Sequence, residues 1–322
     1  MRYGAPVMGS LTITRLEVEA RELAARSCAW RPNERVEASL LIGSPTDDAF
    51  VLGSFQRLSE IGARGESPVV RRGSGGGVAC VGQGSIWVQL ALTRPDALVA
   101  GCTADKLLNR YVRPLLRAIT KVASTPASYF GRDWISAAHR PVALVAFAHE
   151  ARTNASFFEA IVAVSTPFAT EDRPTFVGKV PATLEDLTGR SLDRARIVDA
   201  IADAYRGIAT SVVESDPTPV SPQDLANAIV ADEPAWTATR EEAIGLVAAG
   251  HDASGTLRIG GELMASNDAI ARLEELVSSL PENASETDVG RAVDDALTTG
   301  NAITFGVRSL TSIRDVLLEA RR

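Results

Sequence analysis

Residues 68–92 read PVVRRGSGGGVACVGQGSIWVQLAL and combine a glycine-rich turn with an alternating apolar run. The three consecutive glycines at positions 75–77 lack a Cβ, so their backbone can take a positive φ and approach a ligand closely. The N–H groups of such a turn can form a concavity for a phosphate or a carboxylate, and Arg71 and Arg72 add fixed positive charge. The following run, residues 86–92, predicts a half-buried strand. By itself, Gly-Gly-Gly indicates a flexible loop as often as a binding loop, because isolated glycine motifs are weak signals.

The same stretch resembles the RRxSGGGAVYHDxGNLNxS signature of lipoate–protein ligases, in which the loop lies over lipoyl-adenylate. Cys80 stands where that family has tyrosine, and Ser85 stands where it has asparagine. Val81 and Gly82 replace its His-Asp pair. The loop is therefore retained, but most polar groups beside it are replaced. The resemblance implies that an acyl group or acyl-adenylate is bound by Arg71, Arg72, Ser74, Gly75, Gly76, Gly77 and Ser85.

The bulk composition is that of a soluble globular protein, with 45% hydrophobic and 23% charged residues. A length of 322 residues is long for one core and predicts about two domains. The net charge of −7 argues against a nucleic-acid partner, because nucleic-acid binders normally carry a basic face. We find no apolar run long enough to span a membrane and no secretory pattern, so we expect a cytoplasmic protein. Three widely spaced cysteines indicate neither a disulfide framework nor a metal site.

Apolar periodicity predicts an α+β fold, and the resemblance implies a lipoate-ligase-like domain with a central mixed or antiparallel sheet flanked by helices. Helical spacing predicts helices at residues 16–30 and 96–123, and Pro114 should kink or divide the second. Shorter helices are predicted at residues 183–187 and 193–210. Apolar runs predict strands at residues 38–43, 49–55, 127–131, 133–136, 142–149 and 158–164. The segment FVLGSFQRLSEI, which begins at Phe50, resembles the family segment VVIGRFQNPxxEV.

Three prolines within VESDPTPVSP, residues 213–222, indicate a linker. We therefore divide the chain into an acyl-binding domain, a linker and an accessory domain, at residues 1–213, 214–221 and 222–322. In the last part, residues 239–263 predict paired strands or a helix followed by a strand. Three amphipathic helices are predicted at residues 268–280, 285–297 and 310–321. This pattern resembles the small α+β accessory domain of long lipoate ligases, which rotates over the active site during their reaction.

Lipoate ligases activate a carboxylic acid with ATP and Mg²⁺ and pass the acyl group to a lysine of a lipoyl-type carrier domain. Their motif GRNDLxxxGRKIxGxA supplies a lysine that stabilises negative charge in both transition states. The corresponding stretch here is GRDWISAAHRPVALVA, residues 131–146. Its lysine position falls on Pro141, which has neither a charge nor a backbone N–H. The His-Gly-Thr that usually follows falls within residues 157–159.

Three residues are candidates for the missing catalytic group. Lys179, one of only three lysines in the chain, could reach the ligand from a loop, although a solvated lysine is the commoner role. Arg140 precedes Pro141, but neighbouring residues of a strand face opposite ways. Cys80, close to two arginines, could carry an acyl thioester as octanoyltransferases of this superfamily do, or it could be a small buried apolar residue. A lone histidine such as His139 or His149 is more often structural.

Two functions from different classes stay open. The first is an enzyme that binds an acyl group or acyl-adenylate and performs ligation or acyl transfer with a non-standard set of residues. The second is an inactive member of the fold that binds a ligand or a partner. The retained triple glycine favours a ligand, because glycine carries an entropy cost. The missing lysine, asparagine and His-Asp pair favour loss of standard ligase chemistry. Biotin transfer is less favoured because no GRGRxGR-type loop is present.

Overall fold

The computed structural model describes residues 9–32, 35–61, 67–169, 173–231 and 233–322. Its strands are β1 (Ser10–Val18), β2 (Ala38–Pro45), β3 (Ala49–Leu52), β4 (Val69–Arg71), β5 (Ala79–Val81), β6 (Ser85–Leu92), β7 (Ala127–Tyr129), β8 (Trp134–Ala137), β9 (Arg140–Glu150), β10 (Ala155–Ala163), β11 (Ser211–Glu214), β12 (Ala238–Glu242), β13 (Gly245–His251), β14 (Leu257–Gly261), β15 (Met264–Ala265) and β16 (Thr304–Phe305). Its α-helices are α1 (Ala20–Cys28), α2 (Leu107–Ala123), α3 (Leu184–Thr188), α4 (Arg194–Arg206), α5 (Pro222–Asn227), α6 (Asn267–Ser278), α7 (Glu286–Leu297) and α8 (Leu310–Ala320).

Eight strands form one mixed sheet, in the spatial order β11-β1-β2-β6-β10-β9-β8-β7. Strand β1 pairs in parallel with β2 and β11, and the other neighbours are antiparallel. All eight residues of β6 and all nine of β10 are buried. The predicted central sheet is confirmed, but β6 is buried on both faces rather than half-buried. Even its polar Gln89 is only 4% exposed.

Helices α2 and α4 pack together beside the sheet, and α2 also contacts β7, β9 and β10. The buried residues Tyr111, Leu115 and Ile119 of α2 recur four positions apart, so they form one apolar face. Pro114 lies inside α2 and does not divide it, so that part of the prediction is wrong. Burial of Tyr111 and Leu115 on either side of the proline stabilises the helix through this position.

Both long predicted helices begin later than the apolar pattern suggested. Residues 16–18 complete β1, which is held by strands on both sides, and α1 begins only at Ala20. The Ala20 N–H donates to the Asp47 carboxylate at 2.6 Å, which satisfies one otherwise unpaired donor of the helix start. Residues 96–103 form turns instead of helix, with Gly101 at a φ of 67°. Helix α2 starts at Leu107 after one 3₁₀ turn.

A second, three-stranded sheet carries the glycine-rich turn. Strand β3 pairs in parallel with β4 and antiparallel with β5, and residues 72–78, here called the glycine loop, join β4 to β5. The predicted strand at residues 49–55 ends at Leu52, and residues 53–56 lie outside it. Their carbonyl groups are therefore available to side chains of the neighbouring loop.

The C-terminal part forms the three-stranded sheet β12-β13-β14, the short pair β15-β16 and helices α6 to α8. The predicted paired strands are found, together with all three amphipathic helices. Buried side chains of these elements, among them Leu273, Val293 and Leu317, form a hydrophobic cluster separate from that of the large sheet. Residues 215–220 of the predicted linker have no regular secondary structure. Within the described residues, no helix has the length and apolar character needed to cross a membrane.

Candidate functional site

The glycine loop lies between the large sheet and residues 262–264 of the C-terminal part, here called the cover segment. The Gly75 N–H donates to the Phe147 carbonyl at 3.1 Å, and the Gly76 N–H donates to the Leu263 carbonyl at 3.0 Å. Gly76 has a φ of +85°, which favours glycine. A Cβ on Gly75 would collide with the Leu263 carbonyl oxygen. These glycines therefore permit close approach of backbone to backbone.

Arg72 is fully buried and directs its donors into the glycine loop. Its Nη2 donates to the carbonyls of Gly75 at 2.7 Å and Gly77 at 2.8 Å. Its Nη1 donates to the Val51 carbonyl at 3.2 Å, and its Nε donates to the Ser74 hydroxyl at 3.0 Å. Burial lowers the pKa of Arg72 to about 10, although the nearby Glu159 carboxylate opposes the shift. The guanidinium thus holds the carbonyl groups of the loop in place.

Glu159, on β10, anchors the loop to the sheet. One carboxylate oxygen accepts a hydrogen bond from Trp87 Nε1 at 2.6 Å, and the other accepts one from the Ser74 hydroxyl. The Nε atom of Arg72 lies 3.9 Å from this carboxylate, and both side chains are fully buried. Burial raises the pKa of Glu159, and Arg72 opposes this. The sequence analysis did not identify Glu159 as a site residue, although a lone carboxylate inside the apolar run FFEAIVAV was a usable signal.

A second group of charges, here called the charge cluster, consists of Arg173, Asp133 and Glu262. Arg173 Nη2 forms an ion pair with Glu262 and lies 3.7 Å from Asp133 Oδ2. Arg173 Nη1 donates to the Val78 carbonyl at 3.4 Å. A Cβ on Gly77 would collide with Arg173 Nη2. The Arg173 guanidinium therefore lies directly against the glycine loop.

Asp133 is the residue of the charge cluster with the least hydrogen bonding. Its side chain is 1% exposed, and neither carboxylate oxygen has a hydrogen-bond partner among the residues that the structure describes. Burial raises the pKa of Asp133 to about 6, and Arg173 opposes the shift. A buried carboxylate in this state costs stability unless another group pairs with it.

Comparison with solved structures identifies the architecture. LipL1 of P. falciparum, solved in complex with lipoate, superposes with a TM-score of 0.62 at 12% identity, over 96% of this chain and 99% of that one. Two Thermoplasma acidophilum structures each give a TM-score of 0.50 over 68% of this chain. The first is a bipartite lipoate protein ligase with its E2 lipoyl domain, 13% identical in sequence and covered over 91% of its length. The second is Ta0514 with bound lipoic acid, 15% identical and covered over 93% of its length. The chain has the fold of the lipoate–protein ligases. Neither a protein-family model nor a curated protein matches the sequence.

Pro141, the position that aligns with the lysine of the ligase motif, lies at an irregularity of the ligase-fold sheet. It pairs with Ser136 on β8, and the register of β8 and β9 shifts between Ile135 and Ser136. A proline fits such a site because it cannot donate a ladder hydrogen bond. The Pro141 carbonyl accepts from the Ala182 N–H at 2.9 Å.

Lys179 and Arg140 make their contacts outside the glycine loop. Lys179 Nζ is 5.1 Å from the centre of the Trp134 ring and 5.6 Å from that of Phe130. Arg140 donates to the carbonyl of Val180 at 3.2 Å and to that of Pro181 at 2.7 Å. Arg140 thus fixes the chain next to Lys179, and Trp134, over whose ring Lys179 lies, directly follows Asp133 in the chain.

The other predicted residues lie at the edges of the loop. Arg71 donates to the carbonyls of Gly53 and Ser54, both at 3.3 Å, and of Gln56 at 2.5 Å. It lines a cavity of about 410 Å³ with Arg57 and Trp236, among other residues. Cys80 is partly exposed on β5, opposite Phe50. The Ser85 hydroxyl accepts from the Gly82 N–H at 3.2 Å and closes the turn before β6.

The structure therefore assembles Arg72, Ser74 and the three glycines around one buried point, with Arg71 beside them. It places Arg140 at the start of β9 and Lys179 in the segment between β10 and α3. It adds Glu159, Asp133, Arg173 and Glu262, of which only Asp133 and Glu159 belong to stretches that the sequence analysis had compared with a ligase motif. The sequence analysis did not predict Arg173 and Glu262 as site residues, because nothing in their local sequence indicates that they form an ion pair.

Proposed function

We propose that this protein binds an acyl group or an acyl-adenylate beside the glycine loop and catalyses ligation or acyl transfer with a non-standard set of polar residues. The observation that carries the proposal is the buried carboxylate of Asp133, whose oxygens have no hydrogen-bond partner among the described residues and whose ion partner is Arg173, 3.7 Å away. Such groups with shifted pKa values concentrate at functional sites, where a ligand completes their pairing. The shared ligase fold and the retained RRGSGGG loop support an acyl-adenylate as that ligand.

ATP with Mg²⁺ would supply the activation of the acid, and lipoate or a related acyl group would be the substrate. Mg²⁺ that accompanies a nucleotide is usually held by one or two carboxylates and by phosphate oxygens. Within the described residues no group of three or more His, Cys, Asp or Glu side chains could hold a metal ion by itself. Asp133 is a carboxylate at this site whose oxygens accept no hydrogen bond from the described part of the chain, so it would hold the ion together with the phosphates.

The acceptor would be a lysine on a lipoyl-type carrier domain. The bipartite ligase of Thermoplasma acidophilum was solved as a system with its E2 lipoyl domain. Lys179, Arg140 and Cys80 remain the candidates of the sequence analysis for catalytic groups. Lys179 has its ammonium group over the ring of Trp134, 5.1 Å from the ring centre.

A second candidate function is an inactive ligand-binding or partner-binding protein. The observation that favours it is that the backbone N–H groups of Gly75 and Gly76 already donate hydrogen bonds to carbonyl groups of the same chain. The donors of Arg72 described above are bonded within the chain as well. An adenylate would find these groups occupied unless the cover segment moved.

The test is to incubate the protein with ATP, Mg²⁺ and, in turn, lipoate, octanoate, biotin and amino acids, and to detect acyl-adenylate by mass spectrometry. We expect an adenylate with lipoate or octanoate, and a large loss in Asp133→Asn. The matched control is Asp203→Asn, which removes a surface carboxylate paired with Arg206. No adenylate from any acid, with no thermal stabilisation by preformed lipoyl-AMP, would favour the inactive protein. Stabilisation without activation would leave a binding protein or a transferase that needs an activated donor.

A further inference from the structure

The ion pair between Arg173 and Glu262 has the geometry of a bound anion on a cationic site. Glu262 belongs to the cover segment, which follows β14, and its carboxylate lies on Arg173 against Gly77. Both side chains are largely buried, at 11% and 14% exposure. The pair therefore closes the space over the glycine loop from the C-terminal side.

Arg173 differs from Arg72 in the kind of partner it has. Arg72 is held by carbonyl groups of the loop and by one buried carboxylate on the sheet, so its role is fixed within the large domain. Arg173 Nη2 instead faces two carboxylates, one of which comes from another part of the chain. Carboxylate oxygens and phosphate oxygens both accept charge-assisted hydrogen bonds from a guanidinium group. A phosphate could thus replace Glu262 on Arg173 without rearranging the loop.

Apart from Arg173, Glu262 is held by hydrogen bonds to Leu246, which belongs to the same C-terminal part of the chain as the cover segment. Its second carboxylate oxygen accepts from the Leu246 N–H at 3.1 Å, and its own N–H donates to the Leu246 carbonyl at 2.7 Å. Leu246 lies on β13, in the same C-terminal sheet as β14. Displacement of this sheet would withdraw Glu262 and Leu263 together, which would release both Arg173 and the Gly76 N–H.

We infer that Arg173 and the glycine loop form the phosphate site for the adenylate ligand and that Glu262 occupies this site in the ligand-free closed chain. The inference rests on the proposed function and names the residue that supplies positive charge where Pro141 cannot. Arg173 contacts the phosphate, and its Nη2 stays 3.7 Å from Asp133 Oδ2. Glu262 competes with the ligand, so the site is closed by the protein's own carboxylate until an anion displaces it.

The experiment is calorimetric titration of the full chain with AMP, pyrophosphate and lipoyl-AMP. Glu262→Gln keeps the size of the side chain but removes the competing charge and one of the two acceptor oxygens. We expect it to bind AMP about tenfold more tightly than the wild-type protein, because like charge in an anion site opposes binding. The matched control is Glu319→Gln, which removes a surface carboxylate paired with Arg240 and should leave the affinity unchanged.

The role of Arg173 is tested by removing the whole charge cluster. Arg173→Gln alone would leave two carboxylates without a cation, so it is combined with Asp133→Asn and Glu262→Gln, and folding is checked by near-UV circular dichroism. We expect this triple variant to lose the gain in AMP affinity of Glu262→Gln, and we expect Arg173→Lys with Glu262→Gln to retain part of it. Arg152→Gln, at an exposed arginine paired with Asp268, is the control.

The outcomes separate this inference from the proposed function. If Glu262→Gln binds AMP no better than wild type, or if the gain survives loss of Arg173, the inference is wrong even where lipoyl-AMP binds. If AMP binding follows Arg173 and Glu262 as expected but lipoyl-AMP does not bind, the phosphate site stands and the acyl ligand of the proposed function is wrong. Binding of none of the three probes by any variant overturns both.

Discussion

At the scale of single residues, the site is built from buried charges that neutralise one another. Arg72 and Glu159 are both fully buried, and each satisfies donors or acceptors of the glycine loop or the sheet. Removing one member of a buried ion pair is costly, because the other charge is left in a medium that solvates it poorly. Exposed pairs contribute far less, because water and salt screen them.

Glu159→Gln is therefore expected to lower the free energy of unfolding by about 3 kcal/mol, since Arg72 loses the carboxylate that it faces on β10. Urea unfolding followed by circular dichroism measures the change. Glu319→Gln, in a surface pair with Arg240, should change the same quantity by less than about 1 kcal/mol. Equal effects of the two substitutions would contradict a structural role for the buried pair.

Asp133 predicts a pH dependence with a definite sign. Its pKa in the folded chain is raised to about 6, chiefly by burial, while Arg173 and Arg72 oppose the shift and Glu262 adds to it. The unfolded chain loses this proton near pH 4, so between about pH 4 and pH 6 the folded state holds a proton that the unfolded state has lost. The contribution of Asp133 to stability therefore falls as the pH rises through this window.

The comparison that isolates this group is Asp133→Asn against wild type, unfolded by urea at pH 4.0 and pH 7.5. The variant should gain about 2 kcal/mol relative to wild type between the two pH values. Titrations of other residues cancel in this difference if their surroundings are unchanged. A difference between the two proteins that does not vary with pH would show that Asp133 has an ordinary pKa.

Much of the residue-level site could be predicted from the sequence, but only where the partners are close along the chain. Arg72, Ser74 and the glycines lie within one motif, and that motif is where the structure assembles the loop. Ser74 and Glu159 are 85 positions apart, and Arg173 and Glu262 are 89 apart. No periodicity or spacing relates such pairs, because only the tertiary fold brings them together.

At the scale of elements, hydrophobic patterns located the strands and helices more reliably than their ends. Strands β9 and β10 appear where apolar residues dominate, and α6 to α8 appear where the amphipathic pattern is clear. The start of α1 was misplaced because Leu16 fits both a helix face and a strand. Pairing of β1 with β2 and β11 decides in favour of the strand, and β11 lies about 200 residues further along the chain.

The glycine loop supplies the element-scale prediction. Gly75→Ala should lower the free energy of unfolding by about 2 kcal/mol, because the new Cβ would collide with the Leu263 carbonyl and the Met264 backbone, which cannot both move freely. Thermal unfolding measures the shift. Gly290→Ala, on α7, is the matched control, since its Cβ would meet nothing closer than Arg314 Cδ at 3.6 Å. In a helix interior this change should stabilise the protein by roughly 0.5–1 kcal/mol. Destabilisation by both would point to a general effect of the added methyl group.

At the scale of the whole molecule, the C-terminal part is fastened to the large domain at several separate points. Arg57 donates to the carbonyls of Pro234 at 2.7 Å and His251 at 3.1 Å, and its guanidinium lies 3.6 Å from the centre of the Trp236 ring. At a second point, the Asp268 carboxylate accepts from the N–H groups of Ala151 and Arg152. The domain division at residues 213–222 stays a prediction, and these contacts define what any rotation would have to break.

Arg57→Ala should loosen this junction without unfolding the large sheet. A desolvated cation–π contact contributes roughly 2 kcal/mol, so we expect faster hydrogen exchange in β12, β13 and β14. Exchange in β6 and β10, which are buried in the large sheet, should not change. Arg140→Ala is the control, because that arginine fixes a loop of the large domain only. Faster exchange throughout the chain would mean that Arg57 stabilises the fold globally.

The four tryptophans of the chain have four different sets of neighbours. Trp87 donates to Glu159 below the glycine loop, Trp134 lies under Lys179 beside Asp133, and Trp236 stacks on Arg57 at the C-terminal junction. Trp30 stacks on Phe157 with ring centres 5.2 Å apart. The fluorescence emission of an indole ring depends on neighbouring charge and water, so each tryptophan can report changes in its own surroundings. Each of four variants would keep one tryptophan and have phenylalanine at the other three positions. The intrinsic fluorescence of the remaining tryptophan would then report ligand binding or domain movement near that residue without any added label.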